Sequence, residues 1–252
     1  MPEEKLIRNG DKSFTKQFEI IQLISDTPRG LQGKEVVQKT GMATSTVFRI
    51  LKFLTEKNML LNRDGRYILG PAFLRWGSCA ERQNPLRQLA HPLLEELAEQ
   101  TTETVHIAIL KGTQVCYIDK VEGTRSIRMS SLTGSVAPAY CTGIGKVLLA
   151  YQESRQLEDI LDHLTFTRFT PNTITEKQLL LEELEHVRKC GHAVDNSEHE
   201  AGVFCIAAPI FQADKKIIAG ISVSGAEVYL KDKTREISRA VKETAERISR
   251  TL

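Results

Sequence analysis

The chain has 252 residues, 41% of them apolar, with 34 Lys and Arg against 32 Asp and Glu, a formal charge of +2. That length suits two domains, and the balance belongs to a folded globular protein rather than a disordered or fibrous one. Charged residues at Glu3, Glu4, Lys5, Arg8 and Asp11 argue against a signal peptide and no later run is apolar enough to span a bilayer, while cysteines at 79, 116, 141, 190 and 205 lack the paired spacing of a disulfide framework or zinc ribbon, so a cytoplasmic protein with buried free thiols is expected.

Residues 1–12 read as a flexible lead, after which Phe14, Phe18, Ile21, Leu23 and Ile24 mark a first helix. Lys34 to Lys39 form a short second helix after Gly33, and Gly41 supplies the tight turn before a third. In that third helix Val47, Ile50, Leu51 and Leu54 share one side, while Ser45, Arg49, Lys52 and Glu56 project from the other. One face packs and the other is free to read DNA, as in a helix-turn-helix whose second member enters the major groove. Thr44, Ser45, Thr46, Arg49 and Lys52 are the candidate contacts. Two apolar runs around Asp64-Gly65, from Leu60 to Gly70, predict a hairpin wing with Arg63 and Arg66 flanking its tip, placed to meet phosphate or the minor groove. Residues 1–76 carry thirteen Lys and Arg against eight Asp and Glu, a net +5 set against −3 for the remainder, which fits a basic DNA-binding module joined to a near-neutral or acidic partner domain.

Residues 71–100 read as linker helices, with Asn84-Pro85 and His91-Pro92 each able to start a new segment. Leu86, Leu89, Leu93, Leu94 and Leu97 make an apolar stripe there that needs cover from the second domain or a second subunit. Beyond it, strands are predicted over 105–110, 115–119, 127–132, 203–211 and 217–223, and helices over 145–152, 154–163, 176–190 and 232–252. Strands grouped at both ends with helices between them predict an α+β domain over 101–252 with a largely antiparallel sheet.

Several segments together carry a family pattern: Ser45-Thr46-Val47-x-Arg49-Ile50-Leu51, Tyr67-x-Leu69-Gly70, Gly134-x-x-x-Pro138, Gly145-Lys146-Val147-Leu148-Leu149-Ala150, Thr173-Ile174-Thr175, Gly202-x-x-x-Ile206-Ala207-Ala208-Pro209 and Ser222-Val223-Ser224-Gly225. In their order and coverage, from the first helix to the C-terminus, the chain resembles the IclR family of bacterial transcriptional regulators. The resemblance implies an N-terminal winged helix-turn-helix over 13–70, a linker helix, and a GAF-like effector-binding domain, assembled as homodimers or homotetramers on a palindromic DNA operator. Such a protein works at the nucleoid, without enzymatic activity, cofactor or membrane. The resemblance also places the effector pocket at Gly143, Ile144, Asp195, Cys205, Ser222 and Ser224, with Met129, Ala137 and Tyr140 as its apolar wall. Backbone N–H groups at a helix start bind a carboxylate, small hydroxyls hold the remaining oxygens, and Asp195 must meet a ligand hydroxyl or be protonated, so a small hydroxylated acid is expected. The wording of the pocket half resembles most the branch that senses sugar acids and their catabolic intermediates, including 2-oxo acids.

Departures from the family pattern are Thr44 where Lys is common, Phe48 where His or Tyr is frequent, Asn58 in place of Gly before the wing, and Gly143 in place of Ala. Repression of a catabolic operon, relieved by ligand, is the expected sign, with ligand-dependent activation as the alternative. A reading from another class is a ligand-binding or hydrolytic protein whose winged module contacts proteins. Its sharpest form is a triad of Cys205, His199 and Asp195, against which stands the buried-strand character of Phe204 to Ala208. Cys190, His192, His199 and Cys205, with Asp195 and Glu198, have metal-ligating types but no recognised zinc spacing. Gly143-x-Gly145-Lys146 lacks the upstream Gly and following Ser or Thr of a phosphate loop, so no nucleotide is implied.

Overall fold

The computed structural model describes residues 9–125 and 131–252, with side chains from residue 13 onward. They divide into two compact units between Gln83 and Asn84. In the first, α1 (Asn9–Ser25), β1 (Leu31–Gln32), α2 (Gly33–Thr40) and α3 (Thr44–Glu56) precede the hairpin β2 (Leu60–Arg63) and β3 (Arg66–Leu69). Helix α1 starts at Asn9, earlier than its apolar pattern predicts. Ile20 and Ile24 of α1, Val36 of α2, and Val47, Ile50, Leu51 and Leu54 of α3 close one core with Leu31 and Leu60, which is the amphipathic face expected of α3. Gly41 ends α2 at φ 66, where its N–H bonds the Val37 carbonyl, and so makes the turn into α3. Asn58 takes φ 57 at the entry to the hairpin, a left-handed conformation that Asn tolerates. Strand β3 sits between β1 and β2, with Arg63 opposite Arg66 across the turn. Asp64 and Gly65, at φ 51 and 80, both take the left-handed backbone conformation, which gives a two-residue turn whose twist matches that of the paired strands. Pro71 then starts α4 (Pro71–Arg82) at its first helical position.

The second unit opens with α5 (Pro85–Thr101), capped by the Asn84 side chain on the Arg87 N–H. Pro85 starts a helix as expected, but Pro92 does not: α5 runs through it. An interior proline costs about 3 kcal/mol, and burial of Ala90, Leu94, Leu97 and Ala98 along the same helix offsets it. Strands β4 (Thr104–Lys111), β5 (Gln114–Val121), β6 (Val136–Pro138), β7 (Ala193–Asn196), β8 (Val203–Phe211) and β9 (Ile217–Ala226) form, among the described residues, one antiparallel sheet in the order β6-β5-β4-β9-β8-β7. Of the strand expected over 127–132, residues 127–130 lie outside the described residues and Ser131 and Leu132 are not in a strand; β6 takes the place beside β5. The edge strand β7 is an addition, unsignalled because Asp195 and Asn196 are poor strand formers.

Alternation along the strands gives the sheet two different faces. Val105, Ile107, Phe204, Ile206, Ala208, Ile221 and Val223 pack with α5 and the C-terminal helix. Ala108, Val115 and Ala207 pack with α6 (Gly143–Ala150), α7 (Ser154–Asp162) and α8 (Lys177–Cys190). After β9 the chain makes the short α9 (Glu227–Leu230) and a single 3₁₀ turn before α10 (Thr234–Arg250). The result is the expected α+β arrangement.

Helix α6 is wholly buried and lies against the short 3₁₀ turn Ala139–Cys141. A Cβ at Gly145 would overlap the Ala139 carbonyl and its neighbouring backbone, which no side-chain movement relieves. Gly145→Ala is therefore expected to destabilise the second unit by about 1–3 kcal/mol, read as a lower midpoint in urea unfolding. An unchanged midpoint would show that α6 has room to shift.

Candidate functional site

Two surfaces can carry function, one on each unit. On the first, Thr44, Ser45, Arg49 and Lys52 are exposed along one side of α3, with Thr46 half-buried. Ala43 precedes the helix and supplies no side-chain cap; the Thr46 N–H turns back to the Ala43 carbonyl at 2.9 Å, while those of Thr44 and Ser45 have no intrahelical acceptor and face an outside one. Lys52 is 4.0 Å from Glu56 and both are exposed, a contact too weak to withhold the ammonium. Arg63 stands exposed at the wing. Arg66, on the other side of the tip, has partners within the unit: its guanidinium donates to the Gly30 carbonyl at 3.0 Å and lies 3.4 Å from Glu35. Glu35 also accepts the Gln32 N–H at 2.7 Å, so one carboxylate ties α2 to the wing. Arg66 thus first holds the wing in place.

On the second unit, a cavity of about 240 Å³ lies between the sheet and the start of α6. Strand register builds it. Asp195, Cys205 and Ser224 stand in one row across β7, β8 and β9, and Ser222 and His106 are paired in the next row on β9 and β4. Gly143 and Ile144 close it from α6. A Cβ on Gly143 would stand 3.4 Å from Ala207 Cβ, so the helix start approaches the sheet closely. Thr142 accepts the Gly145 N–H at 3.2 Å, which leaves the N–H groups of Gly143 and Ile144 without an intrahelical acceptor. Ala137, Val136, Tyr117 and Val203 add wall, and Ser131, Ser135, His199 and Glu200 complete the lining.

Among the described residues no Lys or Arg lines the cavity, and burial pushes its inner ionisable groups towards their neutral forms. Burial, and then the charge on Glu198, push the Asp195 carboxyl up to about 7, although its Oδ1 accepts the Glu198 N–H at 2.7 Å. Burial, with the Lys120 charge, pushes His106 down to about 3, and its Nε2 lies 2.7 Å from the Ser131 hydroxyl. Burial raises the Tyr117 phenol. Ser222 and Ser224 hydroxyls are 3.4 Å apart. Hydroxyls, a neutral imidazole and a carboxyl that titrates near neutrality can hold a small polar ligand by directed hydrogen bonds.

Ala137, Gly143, Ile144, Asp195, Cys205, Ser222 and Ser224 all line this cavity. Tyr140 is corrected: it is buried away from the cavity, and its hydroxyl donates to the Thr167 carbonyl at 2.6 Å and accepts the Thr167 N–H at 2.8 Å. Met129 lies outside the described residues. His106 and Tyr117 were not singled out from sequence; the signal available was a histidine at an inward position of the apolar run Val105 to Leu110. The hydrolase triad does not assemble. Burial and the Asp195 charge push the Cys205 thiol far up, and the His199 ring packs edge-on against Phe169 at 5.0 Å. Among the described residues no group of three His, Cys, Asp or Glu could share a metal ion. The thiols are free, and only Cys141 is fully buried, the other four being half-buried.

Comparison with known proteins covers both units. Residues 13–63 match the model of the IclR helix-turn-helix domain, and residues 80–250 match that of the C-terminal domain of the bacterial transcriptional regulator IclR. The chain is 35% identical over 243 residues to the HTH-type transcriptional regulator BhcR of Paracoccus denitrificans, covering 95% of this chain and 87% of that one. It is 29% identical over 218 residues to the transcriptional repressor IclR of Escherichia coli, covering 85% and 80% of the two chains. The crystal structure of the Thermotoga maritima IclR superposes with a TM-score of 0.83 at 37% identity, over 96% of this chain and 98% of that one.

Proposed function

The chain belongs to the IclR family of bacterial transcriptional regulators, and from that premise we propose that it represses a catabolic operon by binding a palindromic operator that a small hydroxylated acid makes it release. As a member of a family of DNA-binding regulators it is not an enzyme. The observation that carries the ligand class is the cavity's combination of an open helix start at Gly143 and Ile144, hydroxyls at Ser222 and Ser224, and Asp195 poised near neutrality. The helix start receives the carboxylate of a sugar acid or 2-oxo acid, and the hydroxyls take its remaining oxygens. Protonated Asp195 donates to the ligand instead of repelling it. The repressive sign is supported by the likeness to the repressor IclR of Escherichia coli.

The operator is held by Ser45, Thr46 and Arg49 in the major groove, with the uncapped N-terminus of α3 and Arg63 on phosphates. A palindromic site requires at least a dimer, and the first unit exposes apolar residues suited to one: Phe14 and Phe18 on α1 are 68% and 59% exposed, and Leu74 on α4 is 77% exposed. Effector binding then favours one spacing of the paired DNA-binding units, for which a coupling of about 1–3 kcal/mol suffices.

Selection of genomic fragments by the purified protein, at a stated salt concentration and with or without each of a panel of sugar acids and 2-oxo acids, tests the whole reading. One palindromic site released by one acid is the expected result; retention without sequence preference would end the operator reading, and a site bound only with acid present would replace repression relieved by ligand with activation.

Arg49→Ala is expected to abolish specific operator binding, with a loss of about 1–3 kcal/mol or more, while acid affinity measured by calorimetry stays within twofold. Equal loss of both would place Arg49 in folding rather than in DNA contact. The affinity for the acid should be flat below about pH 6 and fall as pH rises through 7, approaching tenfold per pH unit as Asp195 ionises beside the ligand carboxylate. Asp195→Asn should flatten that profile. A wild-type profile without slope between pH 6 and 8 would remove Asp195 as a donor.

A further inference from the structure

A second cavity, of about 330 Å³, lies beside the edge strand β7, lined by Lys146, Ile174, Glu183, His192, Asn196 and Glu198 among others. None of these side chains lines the acid cavity. Its acceptors outnumber its donors. The three protons of Lys146 Nζ go to Glu183 Oε1 at 3.0 Å, Glu198 Oε1 at 2.6 Å and the Val194 carbonyl. Glu198 is 5% exposed, yet its Oε2 has no hydrogen-bond partner among the described residues, and neither has the shielded Asn196 Oδ1. His192 Nδ1 is 3.3 Å from the Cys190 carbonyl, which can only accept, so the proton sits on Nδ1 and Nε2 is left as a further acceptor. One ammonium against two carboxylates makes the lining net negative. Buried acceptors of this kind are satisfied in nearly all folded proteins, so a donor is missing.

We propose that this cavity is a second ligand site, which takes the ammonium group of a small organic amine on Glu198 Oε2, Asn196 Oδ1 and His192 Nε2. An ammonium supplies three N–H donors that reach oxygens about 2.7–3.2 Å away. A bare metal ion is disfavoured, since among the described residues no three His, Cys, Asp or Glu converge on one point. The volume exceeds what an ion alone fills, and Ile174 offers apolar surface for a short alkyl chain.

The test is calorimetric titration of the full chain with ethylammonium chloride at constant ionic strength, against sodium chloride as the control. One saturable site per chain is expected, weakened tenfold or more by Asn196→Leu, which removes Oδ1 and leaves the Lys146 cluster intact. His192→Phe, at a half-buried position, gives a second variant should Asn196→Leu fail to melt cooperatively. Heats equal to those of sodium chloride, or an affinity unchanged in the variant that folds, would overturn the proposal. So would saturation by zinc chloride without any by ethylammonium, which would make the cavity a metal site. The titration is made on the acid-free protein, so its outcome does not depend on whether the reading of the other cavity as an acid site holds.

Discussion

A lysine that is 1% exposed can stay charged only if the fold surrounds it with partners, and the second unit is organised around meeting that demand for Lys146. Burial works against its ammonium, but Glu198 and Glu183 outweigh burial and hold it above the usual lysine range. Three pieces of chain are thereby fastened to α6: Glu183 brings α8, the Val194 carbonyl brings the edge strand β7, and Glu198 brings the segment that follows it. The Glu198 N–H then holds Asp195, and the Glu198 charge helps to raise it. Asp195, raised mainly by its own burial and against the pull of the Lys146 charge, is thus held in position by a residue anchored to a cation outside the cavity's lining. Removing a single partner from such a cluster leaves an uncompensated buried charge, a loss of about 3–5 kcal/mol.

The first unit uses the same device on a smaller scale. Glu35 accepts from Gln32 and faces Arg66, whose guanidinium also reaches the Gly30 carbonyl. Gly30, at φ 64, lies so close to Tyr67 and Ile68 that any side chain there would strike β3. Wing and helix pair are thus set at short range by one carboxylate, one guanidinium and one close backbone approach. Exposed pairs of this kind contribute little stability; what they fix is the place of the wing against α2 and the segment before it.

Much of this was legible in sequence because it rests on short-range periodicity. The buried stripe of α3, the Asp64-Gly65 turn and strand β8 over 203–211 follow from spacing and turn chemistry alone. The proline at 92 misled, since its local cost is visible in sequence whereas the burial that overrides it is not. Strand β7 went unseen because its pairing with β8 supplies what its own residues lack. In the cavity, Ser222, Ser224, Asp195 and Cys205 came from family likeness, whereas His106 and Tyr117 emerge only once β4, β5 and β9 are side by side. Tyr140 came from the same family likeness, and its bonds to Thr167 give it a different task, anchoring the loop after α7.

The two faces of the central sheet bear on how such a sensor can change its ligand. Phe204, Ile206 and Ala208 on β8 belong to the core against α5 and α10, whereas Cys205 between them faces the cavity, and on β9 Val223 is flanked by Ser222 and Ser224 in the same way. The residues that these two strands turn towards the cavity are small and contribute little to the packing that holds the unit together. Drift at these alternate positions can retune ligand preference while the intervening positions go on maintaining the fold, so that specificity and stability can evolve on separate sets of residues within the same strands.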